Sequence, residues 1–585
     1  MFVGPVFTRE VATAPRRARL YLARAAYVAV LLVLTATAWE VLAGTQVVRN
    51  VGDLARFGAV VFQILAPLQL AVVMFFAALS AASAVAAEKD RQTLILLLLT
   101  NLSNTELVLG KLLASMLNVL VLIASALPVF MLLVLLGGVS FAQVIHVFAV
   151  TLAGALAAGS LGALLAFWRE KTFQTLAMTA LALVFWLTSW EAVARGALGE
   201  SWLGVSCQTW AVGFSPWQAM LEAMRPIVES DPALGPIRTS VNLFLLLAVA
   251  MTIGQNLIAI AMVRVWNPSR EMRRDQEASK EKPVEAAQHV RRPGKTREVW
   301  DNPIIWREVR TWAYGRKIIA VRVAYLVLAA LALAGLYSLV HQPGAPSRND
   351  LALILAPFGV LSLVLLNAQA VTSLTSERDA KAIDLLLVTD LSPSEFIYGK
   401  LGGVFYNAKE IWLLPMAMCV YLWSSGVLGL ENLLYLLGGW LSLCAFAAML
   451  GVHSGMNYVS SRGAIAVSLG TVFFLFVGVA VCMRIMVAFS GSFQVQLQPF
   501  LAFMVGGGIG LYAALGIRNP SPAIQFASFG CPFAIFYAIT SLFLGYTLAV
   551  FLVAAFTFGF TTAAMLIPAL FEFDVATGRT TGGEE

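Results

Sequence analysis

Apolar stretches of about 20 residues, the length at which a helix crosses the hydrocarbon of a bilayer, recur about twelve times along this 585-residue chain. Several run longer and would tilt or continue into water. No water-soluble fold can hide that many, and the side chains to cover one are missing: 59% of residues are hydrophobic, 12% are charged and the mean hydropathy is +0.82. Within lipid, every backbone amide and carbonyl must be satisfied by a helix or a closed barrel, and runs of this length call for helices, so the chain reads as an all-α polytopic membrane protein. The first apolar stretch is already long enough to span and nothing after it resembles a cleavage site, so it reads as an uncleaved first span. Cys207, Cys419, Cys444, Cys482 and Cys531 show no C-x-x-C spacing and the four histidines are equally scattered. Neither a disulfide framework nor a metal site is expected.

A net charge of +7 could suggest a nucleic-acid partner, but its distribution follows membrane topology, because cytoplasmic loops accumulate Lys and Arg. Arg9, Arg16, Arg17, Arg19 and Arg24 precede the first span, and a denser set runs from Arg264 through Arg273, Arg274, Arg291 and Arg292 to Lys317 and Arg322. The loops left to face outward hold isolated arginines such as Arg49, Arg56, Arg225, Arg238 and Arg348. Both termini and the middle are therefore expected in the cytoplasm, with the chain integral to the cell membrane, in contact with its lipids and bound to no nucleic acid.

The chain repeats itself. PVFTREVATAPRRARLYLARAAY, Pro5 to Tyr27, returns as PIIWREVRTWAYGRKIIAVRVAY, Pro303 to Tyr325, so that Arg9 and Glu10 match Arg307 and Glu308, and Arg24 and Tyr27 match Arg322 and Tyr325. ILAP at Ile64 to Pro67 returns at Ile354 to Pro357, and EKDRQTLILLLLTNLSNTELVLGK, Glu88 to Lys111, returns as ERDAKAIDLLLVTDLSPSEFIYGK, Glu377 to Lys400. The order holds while the offset drifts by a few residues, as in a tandem duplication. An even number of spans per unit, about six, gives both copies one orientation, which makes a parallel repeat about an axis along the membrane normal.

Each unit opens with a basic, partly apolar segment suited to an interfacial helix, 5–20 and 303–318. Spans are expected at roughly 25–44, 57–87, 111–137, 141–168, 172–195 and 240–265, then at roughly 321–340, 351–376, 401–428, 432–459, 463–488 and 533–565. Between the fifth and sixth spans, 196–239 and 489–532 are rich in Pro, Gly and aromatics and apolar enough to dip back into the membrane. The first unit thus occupies 1–266 and the second 301–585, joined by the polar, charged linker 267–300.

The segments 88–111 and 377–400 fall on the cytoplasmic turn between second and third spans. Ser103 with Glu106, and Ser392 with Pro393 and Glu395, fit capping boxes that start the third span before it enters lipid. Leu94 to Leu99, matched less strongly by Ile383 and Leu385 to Val388, is too short to cross and must bury its side chains sideways, against the interfacial helix, lipid headgroups or a partner protein.

E-[KR]-D at Glu88 to Asp90 and Glu377 to Asp379, T-x-L-S at Thr100 to Ser103 and Thr389 to Ser392, and E-x3-G-K at Glu106 to Lys111 and Glu395 to Lys400 resemble the signature of ABC-2 type permeases, the membrane subunits of ABC exporters. Ser215-Pro216 and Ser521-Pro522 resemble the Ser-Pro seen after the family's fifth span, and Ala382 departs from it where the first copy has Thr93. The resemblance implies that Glu88, Asp90, Thr100, Ser103, Glu106, Gly110 and Lys111, with Glu377, Asp379, Thr389, Ser392, Glu395, Gly399 and Lys400, form ATPase-coupling turns. It also implies a separate ABC ATPase subunit, two copies per chain, which holds the ATP and Mg. The chain itself is expected to bind no cofactor and to catalyse nothing. Gly294-Lys295-Thr296 looks like the end of a phosphate-binding loop, but His289 stands where its glycine should be and no apolar strand precedes it.

Pro67 with Pro357, and Pro128 with Pro415, sit inside spans as possible hinges, although proline is also a tolerated kink in membrane helices. Lys409 and Glu410 are charges inside the third span of the second unit, where the first has Leu120 and Val121; they are the groups an ion-coupled transporter of two parallel repeats would use. A membrane scaffold is a further alternative. The expected function is a permease exporting a lipid, amphiphile or drug-like substrate, its path lined by the second and fifth spans of each unit.

Overall fold

The computed structural model describes residues 4–13, 18–45, 50–91, 93–169, 171–196, 199, 201–202, 204–226, 232–267, 300–310, 318–342, 346–379, 381–382, 386, 390–488, 493–516, 520–571 and 573. The expected linker lies almost wholly outside them, as do Gly294-Lys295-Thr296 and Thr389.

The chain is all-α apart from a small antiparallel pair, β1 (Ser201–Trp202) with β2 (Val205–Ser206). Before residue 268 it forms α1 (Pro5–Thr13), α2 (Ala18–Thr45), α3 (Val51–Asp90), α4 (Thr93–Leu99), α5 (Asn104–Leu136), α6 (Phe141–Trp168), α7 (Thr172–Ala194), α8 (Cys207–Phe214), α9 (Pro216–Ala223) and α10 (Ser240–Trp266). After residue 299 come α11 (Pro303–Arg310), α12 (Ile318–His341), α13 (Arg348–Asp379), α14 (Pro393–Asn407), α15 (Lys409–Ser424), α16 (Leu430–Asn457), α17 (Ser461–Ala488), α18 (Phe493–Leu515), α19 (Pro522–Phe543) and α20 (Thr547–Phe571). Among the described residues, thirteen helices are long and apolar enough to cross a membrane.

Polar caps set the helix ends. Asn50 with Asp53 and Ser140 with Gln143 close capping boxes that satisfy the first free amides of α3 and α6. Between α5 and α6 the backbone turns through Gly137 and Gly138 at positive φ, and a Cβ on Gly138 would come within 2.0 Å of the Ala55 carbonyl oxygen. Only glycine fits there.

Lipid tails are as apolar as leucine, so helices in a bilayer associate through close packing and hydrogen bonds more than through exclusion of water. Small residues four apart accordingly seat α6 on α3 (Gly154, Ala158, Gly162) and α16 on α13 (Ala447, Gly451, Gly455). Asn367 ties the second contact, donating from Nδ2 to the Ala447 carbonyl (2.8 Å) and accepting from the Ser468 hydroxyl (2.8 Å). The N- and C-terminal halves meet along α3 and α7 on one side and α13 and α17 on the other, with Phe75 stacked on Phe473 at 4.2 Å. These are the second and fifth spans expected to line the path, and here they are packed together.

Three expectations are corrected in the C-terminal half. The single third span at 401–428 is two helices, interrupted at Ala408. The sixth span at 533–565 is instead parts of α19 and α20, separated by a turn at Leu544 to Tyr546 with Gly545 at φ 79°. The segment 489–532 does more than dip. His453 Nε2 lies 2.9 Å from the Leu515 carbonyl oxygen and the Tyr458 hydroxyl donates to that of Ala514 (3.0 Å), which brings the end of α18 to the far end of α16. Helix α18 therefore runs the length of the bundle and α19 returns. The matching α8 and α9 do only dip: the Trp186 indole, midway along α7, donates to the Phe214 carbonyl (2.8 Å), where Ser215 and Pro216 start α9.

Candidate functional site

At one end of the bundle, called here the turn face, α3 gives way to α4 and α5, and α13 to α14. The first link is the capping box. The Glu106 amide donates to Ser103 Oγ (3.2 Å) while the Ser103 amide and hydroxyl donate to Glu106 Oε2 (3.0 and 2.8 Å). Ser392 and Glu395 repeat this at 3.2, 2.9 and 2.7 Å, with Pro393 in the first turn.

Beneath each cap lies a buried lysine. Lys111, 6% exposed, is ion-paired with Glu88. Lys400, 1% exposed, sits 2.8 Å from both Glu308 Oε1 and Glu377 Oε1, and Arg307 pairs with both of these carboxylates. In a low-dielectric site such charges persist only when paired. The network joins the motif residues Glu377 and Lys400 to the Arg307-Glu308 pair of α11, so that short helix is part of the site. Gly399 and Gly403 let it approach, since a Cβ on either would meet Ile304 at 2.6 Å or Glu308 at 2.7 Å. Helix α1 packs on α5 in the same way, with Gly4 against Glu106. Arg9 is exposed there, Gly110 is buried, and the Glu10 side chain lies outside the described residues.

The middle residue of each E-[KR]-D has a role that the motif alone does not reveal. Lys89 donates to the carbonyls of Phe167 and Arg169 (2.9 Å for the latter), and Arg378 to those of Gly455 (2.9 Å) and Tyr458 (2.6 Å). Each cation thus closes the C-terminal end of the neighbouring helix, α6 or α16, where free carbonyls concentrate negative charge. Asp90 accepts from the Thr172 hydroxyl at the start of α7. Asp379 instead meets Arg91 across the halves at 3.4 Å, and Arg462 donates to the Ala84 carbonyl (2.8 Å) beside it. The two turns are therefore bridged to one another.

The apolar run Leu94 to Leu99 is α4, and it is split between two environments. Leu94 is buried with Val85, Leu107, Val108, Phe167 and Val263, against the ends of α5, α6 and α10 and not against the interfacial helix. Leu96 and Leu99 stand 63% and 70% exposed. Arg264 holds the projection in place, donating to Asn104 Oδ1 (2.7 Å) and to the carbonyls of Leu98 (3.3 Å) and Leu102 (3.2 Å). Sequence reading counted Arg264 only as a topogenic charge. Thr100 closes the last turn of α4 by donating to Leu97 (2.6 Å).

The four prolines lie inside continuous helices, Pro67 in α3, Pro128 in α5, Pro357 in α13 and Pro415 in α15. Pro415 cannot donate to the carbonyl four residues back, Ile411, and the Tyr325 hydroxyl does so instead (3.1 Å). Glu410 lies 3.8 Å from Arg322, which also donates to the Asn407 carbonyl (3.2 Å), and Lys409 stands over the Tyr406 ring. Both charges belong to the interruption at Ala408. Among the described residues no cluster of His, Cys, Asp or Glu could hold a metal ion.

Long apolar helices joined at one face by two charge-locked turns define a polytopic membrane protein. Residues 56–190, from α3 through the first turn to α7, match the profile of the family described as ABC-2 family transporter protein. Over those residues the chain is similar to that family, whose members are transport components that generally partner with an ABC ATPase subunit. Comparison with curated proteins and with solved structures gave no match.

Proposed function

We propose that this chain is the membrane half of an ATP-driven exporter, two permease units (1–266 and 301–585) fused in one polypeptide, with two copies of a separate ATPase docked at a cytoplasmic turn face. The observation that carries this reading is α4: a short helix fixed by Arg264 at one end and by Thr93 donating to the Glu88 carbonyl at the other, yet presenting Leu96 and Leu99 outward. Exposed leucines at the end of a rigid projection fit the apolar centre of a protein interface. Around them, the motif charges Glu88, Lys111, Glu377 and Lys400 act from within, as the frame that transmits movement of the docked turn into α3, α5, α13 and α14. ATPase closure would draw the bridged turns together and separate the packed α3, α7, α13 and α17, a population shift driven by nucleotide binding. The predominantly apolar spans favour a lipid, amphiphile or hydrophobic drug as cargo.

The test is affinity purification of tagged chain from its native membrane, with mass spectrometry of partners. Wild type should recover an ABC ATPase, and Leu96→Glu with Leu99→Glu should lose it while inserting normally, because both side chains are already exposed. Undiminished recovery from the double variant would refute α4 as the docking element.

A further inference from the structure

A cavity of about 430 Å³ lies where the halves meet, walled by α2, α3 and α5 from one half and by α17 and Phe503 of α18 from the other. Phe76 and Phe474 on its wall remain 37% exposed, so it is open at the side of the bundle. The lining is apolar except for one polar group of residues, Arg24, Tyr27, Ser80 and Asn118. Among the described residues, the buried Tyr27 hydroxyl and Asn118 Oδ1 have no hydrogen-bond partner. Arg24 has the Tyr21 ring 5.2 Å away, but among the described residues no carboxylate pairs with it. Buried polar atoms left unmatched are costly, and a cation on a membrane helix ordinarily has a partner.

The other half shows a more fully paired version. Arg322 has Glu410 at 3.8 Å and donates to the Asn407 carbonyl, its Nε alone being unmatched among the described residues, and the Tyr325 hydroxyl meets both Ile411 and Ser362. There α12 packs directly on α7, whereas α2 packs on α18, which leaves the space beside α17 unfilled. Where Glu410 answers Arg322, the first half offers Leu120 and Val121. The cavity is also graded in polarity. Arg24 lies toward the turn face, and Leu34, ten residues further along α2, is about 15 Å deeper.

We infer that this cavity binds an anionic amphiphile drawn from the bilayer. Its charged head lies against Arg24 with head oxygens and hydroxyls on Tyr27 and Asn118, and its tail runs along Leu34, Val72 and Val481. A water-soluble anion would leave the apolar length empty, and a lipid whose head carries no anion would leave Arg24 unmatched. That this amphiphile is cargo rests on the permease reading above; the binding site itself does not.

Full-length chain in nanodiscs would be photolabelled with diazirine-tagged phosphatidylglycerol or diazirine-tagged diacylglycerol, whose head has no anion, and the labelled peptides identified by mass spectrometry. Peptides holding Val72 and Val481 should carry about tenfold more of the anionic label, the worth of one charge-assisted hydrogen bond. Arg24→Gln should abolish the preference, Arg24→Lys keep most of it, and Arg322→Gln leave it unchanged. Should Arg24→Gln fail to insert, Asn118→Leu gives a second reading, with the anionic label falling severalfold. Equal labelling by the two lipids, or a preference that survives both variants, would overturn the inference. Since no ATPase is present, failure here leaves the docking of α4 untouched, and failure of ATPase recovery leaves this site standing.

Discussion

Lys111 and Lys400 occupy matching places in the two turns, yet they are secured to different degrees. Lys400 has Glu308 and Glu377 at the same 2.8 Å, whereas Lys111 has Glu88. Glu377→Ala should therefore be tolerated, because Glu308 remains. Glu88→Ala strands a buried cation and should cost toward the lower end of about 3–5 kcal/mol, Glu88 being itself 24% exposed. Thermal unfolding in detergent would rank them, with Lys111→Met restoring much of the loss in Glu88→Ala; equal losses would mean that Glu308 contributes nothing. The capping serines were legible in the sequence because a box closes within three residues. The Glu88–Lys111 and Glu308–Lys400 pairs were not, since their members are far apart along the chain and only the packing of α5 on α3, and of α11 on α14, brings the right groups together. The same holds for Lys89 and Arg378, whose carbonyl partners lie on another helix.

Among elements, the interruption between α14 and α15 shows how one helix can be written in another. Nothing at Asn407-Ala408 is a proline or glycine. The break persists because Arg322 takes the Asn407 carbonyl and Tyr325 that of Ile411, the carbonyl Pro415 leaves free. Tyr325→Phe should cost about 0.5–1.5 kcal/mol. In a Pro415→Ala background, where residue 415 regains its amide, that cost should fall but not vanish, because the hydroxyl also meets that of Ser362 at 2.8 Å; an unchanged cost in a double-mutant cycle would show that the hydroxyl serves Ser362 and not Ile411. The α16–α13 contact depends on Gly451, where a Cβ would come within 2.5 Å of the Ala370 methyl. Gly451→Val should overpack it by about 1–3 kcal/mol, measured by unfolding in mixed detergent. Helix α18 escaped the sequence reading for a compositional reason: Gln494, Gln496, Gln498, Pro499 and the glycines at 506–508 and 510 dilute an apolar pattern that still meets the length of a span.

For the molecule as a whole, the repeat read from the sequence has its counterpart in paired structure: α3 with α13, capped turns with capped turns, Lys89 with Arg378. The departures lie where the halves differ in partners, the Arg24 side being open and the Arg322 side closed, and one hairpin dipping where the other crosses. On the proposed reading the chain supplies both permease units and needs no second copy of itself, and its two turns would place two ATPases side by side. The direct measurement is native mass spectrometry of the complex purified from its own membrane through a tag on this chain. The account predicts one chain with two ATPase subunits; two chains in the complex, or intact chain carrying no ATPase, would contradict it.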